Sequence, residues 1–454
     1  MKSAAIIGAG ITGLTAGFYL QKAGVPVVIY EASDRPGGAI RSIRKEGYLV
    51  ECGPNTILET CPEIPQLIQD AGLVSRRLYT DSNAEARYVV RDRKPVAMPA
   101  HQLGIFASPL LGWKSKWALL REPFVAPRRD GAEESLADFV TRRLSREFLD
   151  RLVDALAAGI YAGDPARLSI THAFPRLKAL EDQFGSLIKG QMALARRRKK
   201  TGEVARDRAP KFSFDEGLEV LPATLAARLK ESLQLSSPVQ AMTRSPDGTW
   251  QVLSSRGTTS HQAILYCGTG HQLPALGIHA PAQLDVSVFS EIRYPPVSSV
   301  VLGFRRADVA HACSGFGMLI PRMENFRILG TLFSSSLFPN RAPEGHVLLT
   351  SYVGGERFPE LAGRTEGELV DIVCEDLKIL LGIHAPPFFK SVAFHPKAIP
   401  QYNVGHGRFK AQLDSMENRA PGLFFAGHFR DGVSLGDSIA SGVAAARRVQ
   451  NFFS

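Results

Sequence analysis

Apolar positions fall into short blocks separated by glycine-rich or polar breaks. Ser3-Ala4-Ala5-Ile6-Ile7 is too short for a helix and runs at once into Gly8-Ala9-Gly10-Ile11-Thr12-Gly13, which predicts a buried strand entering a turn. Leu14 to Ala23 reads as a helix ending at Gly24, and Val27-Val28-Ile29-Tyr30 as a second strand ending in Glu31. Ser135-Leu136-Ala137-Asp138 has the form of an N-cap opening a helix, with apolar residues at Leu136, Phe139, Val140 and Leu144. Leu235 to Leu253 reads as a strand containing Val239, a turn at Gly248-Thr249-Trp250 and a return strand. Leu423-Phe424-Phe425-Ala426 is a strand breaking at Gly427-His428, and Ser438 to Ala446 a small-residue helix. No run of about 18 apolar residues occurs, so no membrane-spanning helix is expected.

Composition narrows the class. The 454 residues suffice for two or three structural lobes, and 44% apolar with 22% charged residues is ordinary for a folded, soluble chain. The start, Met1-Lys2-Ser3 followed by a strand, does not resemble a secretion signal. Five scattered cysteines with no C-x-x-C pairing argue against a disulfide framework or a zinc site, so no metal is expected. A net charge of +10 favours an anionic substrate or membrane face; with no nucleic-acid-binding signature, nucleic acid is excluded as partner.

The first fifty residues carry the chemistry. Strand, G-x-G-x-x-G, helix, strand and acid stand in the order of a Rossmann-like dinucleotide site. Gly8 makes the tight turn, Gly10 admits a pyrophosphate to the backbone, and Gly13 lets helix and strand pack closely. The helix start at Ile11 and Thr12, beside Ala9, offers free N–H groups to phosphates. Glu31, followed by Ala32, is the acid that accepts hydrogen bonds from a ribose diol. This pattern alone does not separate NAD from FAD.

The continuation Arg35-Pro36-Gly37-Gly38-Ala39-Ile40-Arg41 resembles the R-x-G-G-x-x-R extension of amine-oxidase-like flavoproteins. That resemblance implies FAD, with Gly38, Ala39 and Arg41 along its pyrophosphate and Gly53-Pro54-Asn55-Thr56 beside the isoalloxazine. It also implies that Val239 pairs with adenine and that Gly427, His428, Val433, Ser434 and Leu435 form a second flavin segment. A helix starting there aims its dipole at the flavin pyrimidine. The segment has no cysteine, so the FAD is expected to be non-covalent.

Within that superfamily the middle of the chain resembles the oxygen-dependent protoporphyrinogen oxidase family. The residues carrying the likeness are Gly159-Ile160-Tyr161-Ala162-Gly163-Asp164-Pro165, Gly315 to Pro321, and Pro400-Gln401-Tyr402 with Gly405-His406. The resemblance implies six-electron oxidation of protoporphyrinogen IX in haem synthesis with molecular oxygen as acceptor; coproporphyrinogen III is the alternative substrate. It places Gly159 at the macrocycle as the candidate catalytic position, through its carbonyl, and Arg87 on a propionate. The sequence departs from several relatives at Ala39, where they carry tryptophan, and at Asn55-Thr56, where some carry a more basic pair. An amine oxidase or carotenoid desaturase, and a non-catalytic flavin-binding membrane protein, are the competing readings. Phe429 without a paired tyrosine weakens the amine reading.

The expected architecture is mixed α/β (α+β). A Rossmann-like FAD domain is built from residues 1–75, 213–280 and 395–454, and a β-sheet substrate domain from 76–96 and 281–394. A helical lobe is inserted at 97–212. In that lobe the apolar run Leu103 to Trp113 reads as exposed, with Lys114, Lys116, Trp117, Arg121, Arg128 and Arg129 after it and a basic run at Arg196 to Lys200. This mixture suits an anionic membrane face, hence a cytoplasmic chain attached peripherally to the inner face of the membrane. A homodimer is left open.

Overall fold

The computed structural model describes residues 2–81, 84, 86–99, 102–201 and 209–454; the side chains of residues 102, 103 and 197–201 lie outside that description. The basic side chains Arg197, Arg198, Lys199 and Lys200 therefore fall outside it, as does that of Leu103.

Three remote stretches build one parallel sheet. Its order is Leu233–Gln234, Val27–Tyr30, Ala4–Ile7, Ala263–Tyr266 and Leu423–Phe425. Ala4, Ala5, Ile6 and Ile7 are all buried because helices and a second sheet cover both faces, which is why the strand reads as an unbroken apolar block. The helix Ile11–Lys22 begins three residues earlier than the pattern suggests, inside the glycine loop, with Leu14 N–H donating to Gly10 O at 3.0 Å. Leu435–Phe453 also starts earlier than expected and runs to the carboxyl end, because Ser434 caps it. The two helices pack closely, since a Cβ on Gly442 would lie 2.6 Å from Thr12 O.

A four-stranded sheet (Gly257–His261, Trp250–Ser254, Val239–Arg244, Gly277–His279) lies beside this core, its first hairpin turning at Gly248, φ +87°. A larger sheet of seven strands runs Phe389–His395, Val297–Arg305, His346–Gly354, Ile328–Leu332, Gly317–Leu319, Arg87–Arg91 and Lys94–Ala97. The helix Glu366–Leu381 covers one face of it, opened by a capping box of Thr365 and Glu368.

The inserted residues form helices, among them Trp113–Arg121, Leu136–Arg143, Asp154–Tyr161, Pro175–Phe184 and Leu187–Thr201. Ser135 caps the second as its sequence predicts, accepting from Asp138 N–H at 3.0 Å. The run from 103 to 113 is not exposed throughout. Leu110 and Leu111 are buried, rolled inward by a turn in which Leu110 N–H donates to Ser108 Oγ at 3.2 Å. The outward residues are Phe106, Trp113, Trp117, Leu120 and Phe124. Among the described residues no helix is long and apolar enough to cross a membrane.

The lobe is tied by a buried ionic cluster. Arg143 donates to Glu181 at 2.8 Å, to Val125 O at 2.9 Å and to Gly185 O at 2.5 Å, and lies 3.2 Å from Glu122. Replacing Arg143 with methionine leaves Glu122 buried without its cation, while Glu181 keeps Arg142 and Lys178. The expected cost is about 3–5 kcal/mol, read as a lower urea midpoint. The exposed Arg146–Asp150 pair serves as control, and Arg146→Ala should leave the midpoint unchanged.

Candidate functional site

Gly8 and Gly13 set the geometry of the glycine loop. Gly8 has φ +103° and donates its N–H to Tyr30 O at 2.7 Å, closing the turn. A Cβ on Gly13 would lie 2.0 Å from Gly8 O, so only glycine lets the helix approach this closely. A Cβ on Gly10 would meet nothing within 4 Å, and the helix that Gly10 opens has no side-chain cap. Open space therefore faces the uncapped N–H groups of the first turn, Ile11, Thr12 and Gly13, the arrangement a pyrophosphate requires. Glu31 is held beside the loop, its carboxylate accepting from Ala9 N–H at 2.8 Å and from Ser33 N–H at 2.9 Å. Ala32 follows it on the surface.

The second glycine pair stacks on the first. Gly37 N–H donates to Ala9 O at 2.8 Å, and a Cβ on Gly38 would lie 3.4 Å from Gly10 Cα. Arg35 folds over this turn, donating to Gly38 O at 2.6 Å and Ile40 O at 3.1 Å, which leaves Ala39 and Arg41 outward. A Cβ on Gly53 would sit 2.3 Å from Ala39 O, so the Gly53-Pro54-Asn55-Thr56 run lies against that turn. Asn55 Nδ2 then reaches the seven-stranded sheet, donating to Tyr352 OH at 2.7 Å. Tyr352 is half-buried, and desolvation raises its phenol pKa and keeps it protonated.

The last segment comes in from the other side. Gly427, φ +117°, would place a Cβ 3.8 Å from Thr12 Oγ1, and its N–H donates to Ser441 Oγ at 2.9 Å. Val433 leads into Ser434, which accepts Asp437 N–H at 3.1 Å and opens the helix at Leu435. Burial, with His271 adding to it, pushes His428 down to about 4, so its imidazole is neutral at physiological pH. Val239 starts a strand led in by Ser237 N–H, which donates to Glu31 O at 2.7 Å. The Gly37-Gly38 turn and the last segment thus touch the glycine loop, Ser237 touches Glu31, and the Gly53 run reaches the loop through Ala39.

Arg87 and Gly159 are not part of that cluster; they meet around another strand. Arg87 pairs with Gly317 in parallel register, with its guanidinium 5.8 Å from the Phe316 ring. A Cβ on Gly159 would lie 2.5 Å from Leu319 Cδ2, two residues along the same strand. Gly159, Leu156 and Ile160 form the exposed side of their helix. Buried Arg357 fixes that helix, donating to Asp154 Oδ2 and to Ile320 O, each at 2.6 Å. Arg357, Tyr352, Gln401 and Tyr402 carry no role in the sequence reading; only the P-Q-Y-x-x-G-H motif hinted at the last two. Among the described residues no group of three or more His, Cys, Asp or Glu side chains is placed to hold a metal.

Residues 11–450 match the family model of flavin containing amine oxidoreductases. The chain belongs to that family. It is similar end to end to protoporphyrinogen oxidase 2, chloroplastic/mitochondrial, of Arabidopsis thaliana, at 33% identity over 99% of this chain and 94% of that protein. It is 29% identical to coproporphyrinogen III oxidase of Bacillus subtilis (strain 168) over 98% of this chain and 97% of the relative. A crystal structure from Exiguobacterium sp. 255-15, provisionally named a protoporphyrinogen oxidase, superposes with a TM-score of 0.81 at 23% identity over 99% of both chains. The protein is accordingly an oxidoreductase that uses a flavin, and the open space at Gly10 fits one.

Two glycine substitutions should separate cofactor space from packing space. Gly10→Val should leave the thermal midpoint of the flavin-free chain unchanged while abolishing the yellow flavin absorbance. Gly13→Val should lower that midpoint strongly, because the side chain meets backbone.

Proposed function

We propose that this chain oxidises a porphyrinogen to the corresponding porphyrin at a non-covalently held FAD, with O2 as electron acceptor, in haem biosynthesis. The observation that carries this reading is the full-length similarity to porphyrinogen oxidases, combined with the placement of Arg87 and Gly159 on either side of the strand Gly317–Leu319. Protoporphyrinogen IX is the preferred substrate. In six-electron stoichiometry three O2 become three H2O2 for each porphyrin formed. Bound FAD supplies the hydride acceptor.

The chain supplies orientation. Arg87 offers a fork of N–H donors to a propionate. Gly159 presents its carbonyl to the macrocycle, with Leu156 and Ile160 giving an apolar wall on the same helix side. On the cofactor, Gly8 to Gly13 and Gly38, Ala39 and Arg41 take the pyrophosphate, Glu31 the ribose and Val239 the adenine. Gly53 to Thr56 and Gly427 to Leu435 take the ring system. Burial holds the Cys267 thiol, beside Gly8, protonated, which agrees with a cofactor that is not attached through sulfur. The seven-stranded sheet is the substrate domain and the parallel sheet the core of the FAD domain in this scheme.

The second element is peripheral membrane attachment at the inner face of a cytoplasmic membrane. Trp113, Trp117, Leu120 and Phe124 are exposed at helical spacing, with Lys114, Lys116 and Arg121 among them. Vesicles containing anionic lipid should co-sediment the protein, and the triple change Trp113→Ser, Trp117→Ser, Phe124→Ser should abolish this. Binding that is equal on neutral and anionic vesicles, or unmoved by salt, would refute the electrostatic part.

The function itself is tested by anaerobic mixing. Protoporphyrinogen IX should bleach the flavin, and readmitted O2 should yield fluorescent porphyrin and peroxide. Flavin left oxidised by both protoporphyrinogen and coproporphyrinogen would sink the proposal, while a higher kcat/KM for coproporphyrinogen III would reassign the substrate. Arg87→Ala should raise KM about tenfold or more with flavin content unchanged.

A further inference from the structure

The motif Pro400-Gln401-Tyr402, with Gly405-His406, has no part in the cofactor and substrate contacts assigned above. Gln401 and Tyr402 are each only 2% exposed, and their polar groups reach two different segments. Gln401 Nε2 donates to Tyr161 O at 2.8 Å, at the end of the helix bearing Gly159. A Cβ on Gly163 would lie 2.5 Å from Gln401 Oε1, so the G-I-Y-A-G turn is shaped around this amide. Tyr402 keeps its ring 6.1 Å from that of Tyr161 and sends its hydroxyl onward. Its hydroxyl donates to His428 O at 2.6 Å and accepts Gly432 N–H at 2.9 Å, spanning the loop between Gly427 and the helix starting at Leu435.

The two neighbours are themselves anchored. Gln401 N–H donates to Arg293 O at 2.9 Å, and Tyr402 O accepts Ser169 N–H at 2.8 Å. The Tyr402 ring stacks on His406, centroids 4.0 Å apart at 22°. Burial, with His172 and Lys410 adding to it, pushes His406 down to about 3, so this support remains a neutral ring at physiological pH. Burial also raises the Tyr402 phenol pKa, which preserves its donor.

We propose that Gln401 and Tyr402 are a pair of positioning residues that lock the substrate helix and the flavin loop into one register. The inference rests on the porphyrinogen reading above for its catalytic half. Its loop half concerns only this chain. Two adjacent backbone units leave little freedom between the two tied segments, so the helix bearing Gly159 cannot shift against the loop without breaking a buried hydrogen bond.

The test uses flavin-loaded protein carrying Tyr402→Phe, Gln401→Met or both. Tyr402→Phe keeps the ring on His406 and removes only the hydroxyl. It should speed amide exchange in the 428–432 peptide about tenfold and shift the flavin absorbance bands. It should also slow anaerobic bleaching by protoporphyrinogen about tenfold, with substrate Kd within about twofold of wild type. Gln401→Met should leave flavin absorbance and the 428–432 exchange alone and slow bleaching by a similar factor. In the double variant the losses should fall short of their product, since cutting either tie already frees the register.

Wild-type exchange and bleaching in folded, flavin-loaded Tyr402→Phe would overturn the proposal, as would losses that simply multiply. If Tyr402→Phe does not fold, unchanged bleaching in Gln401→Met overturns it alone. If wild-type flavin is bleached by no porphyrinogen, the proposed function fails, and exchange in Tyr402→Phe decides the loop half separately.

Discussion

The structure depends on how closely the helix Ile11–Lys22 can approach the turn after the first strand. With no side chain at Gly13, Gly8 O sits where a Cβ would be, 2.0 Å from that point, and the helix drives its first turn into the loop. The consequence is electrostatic as well as steric. The uncapped N–H groups and the positive end of the dipole face open space at Gly10. The neighbouring glycine segments build outward from it: the Gly37-Gly38 turn rests on Ala9 O, the last helix on Thr12, and the Gly53 run in turn on Ala39 O.

Because the cradle comes from segments hundreds of residues apart, its precision depends on ties between them. Thr12 Oγ1 donates to Ser438 O, and Gly427 N–H to Ser441 Oγ. Asn55 and Tyr352 join the cradle to the larger sheet. Such buried polar contacts add little net stability each, but losing one partner strands a donor or acceptor away from water. They specify one arrangement among many compact ones.

The helical lobe is built on a different balance. Its centre holds Arg143 between Glu122 and Glu181, while its outer side exposes Trp113, Trp117, Leu120 and Phe124. An aromatic stripe left in water costs the fold the burial those side chains would gain in a core, on the order of 1.5–3 kcal/mol for a fully buried phenylalanine. That cost is recovered when an apolar phase covers the stripe.

Local sequence determined the glycine loop. Gly8, Gly10, Gly13 and Glu31 lie within one strand–helix–strand unit, where backbone conformation and close packing are set by residues a few positions apart. Ser135 and Ser434 cap their helices with local side-chain acceptors, although the residue pattern alone starts the second helix at Ser438 rather than Leu435. Burial of Leu110 and Leu111 was not legible, because apolar residues look alike in sequence whether they face solvent or a core. Tertiary structure alone decided that Arg87 and Gly159 share one strand, since 72 residues separate them and the link is a parallel pairing with Gly317. It also decided that adjacent Gln401 and Tyr402 hydrogen-bond to two segments far apart in sequence, because a side chain's partner across space leaves no periodic trace in the chain.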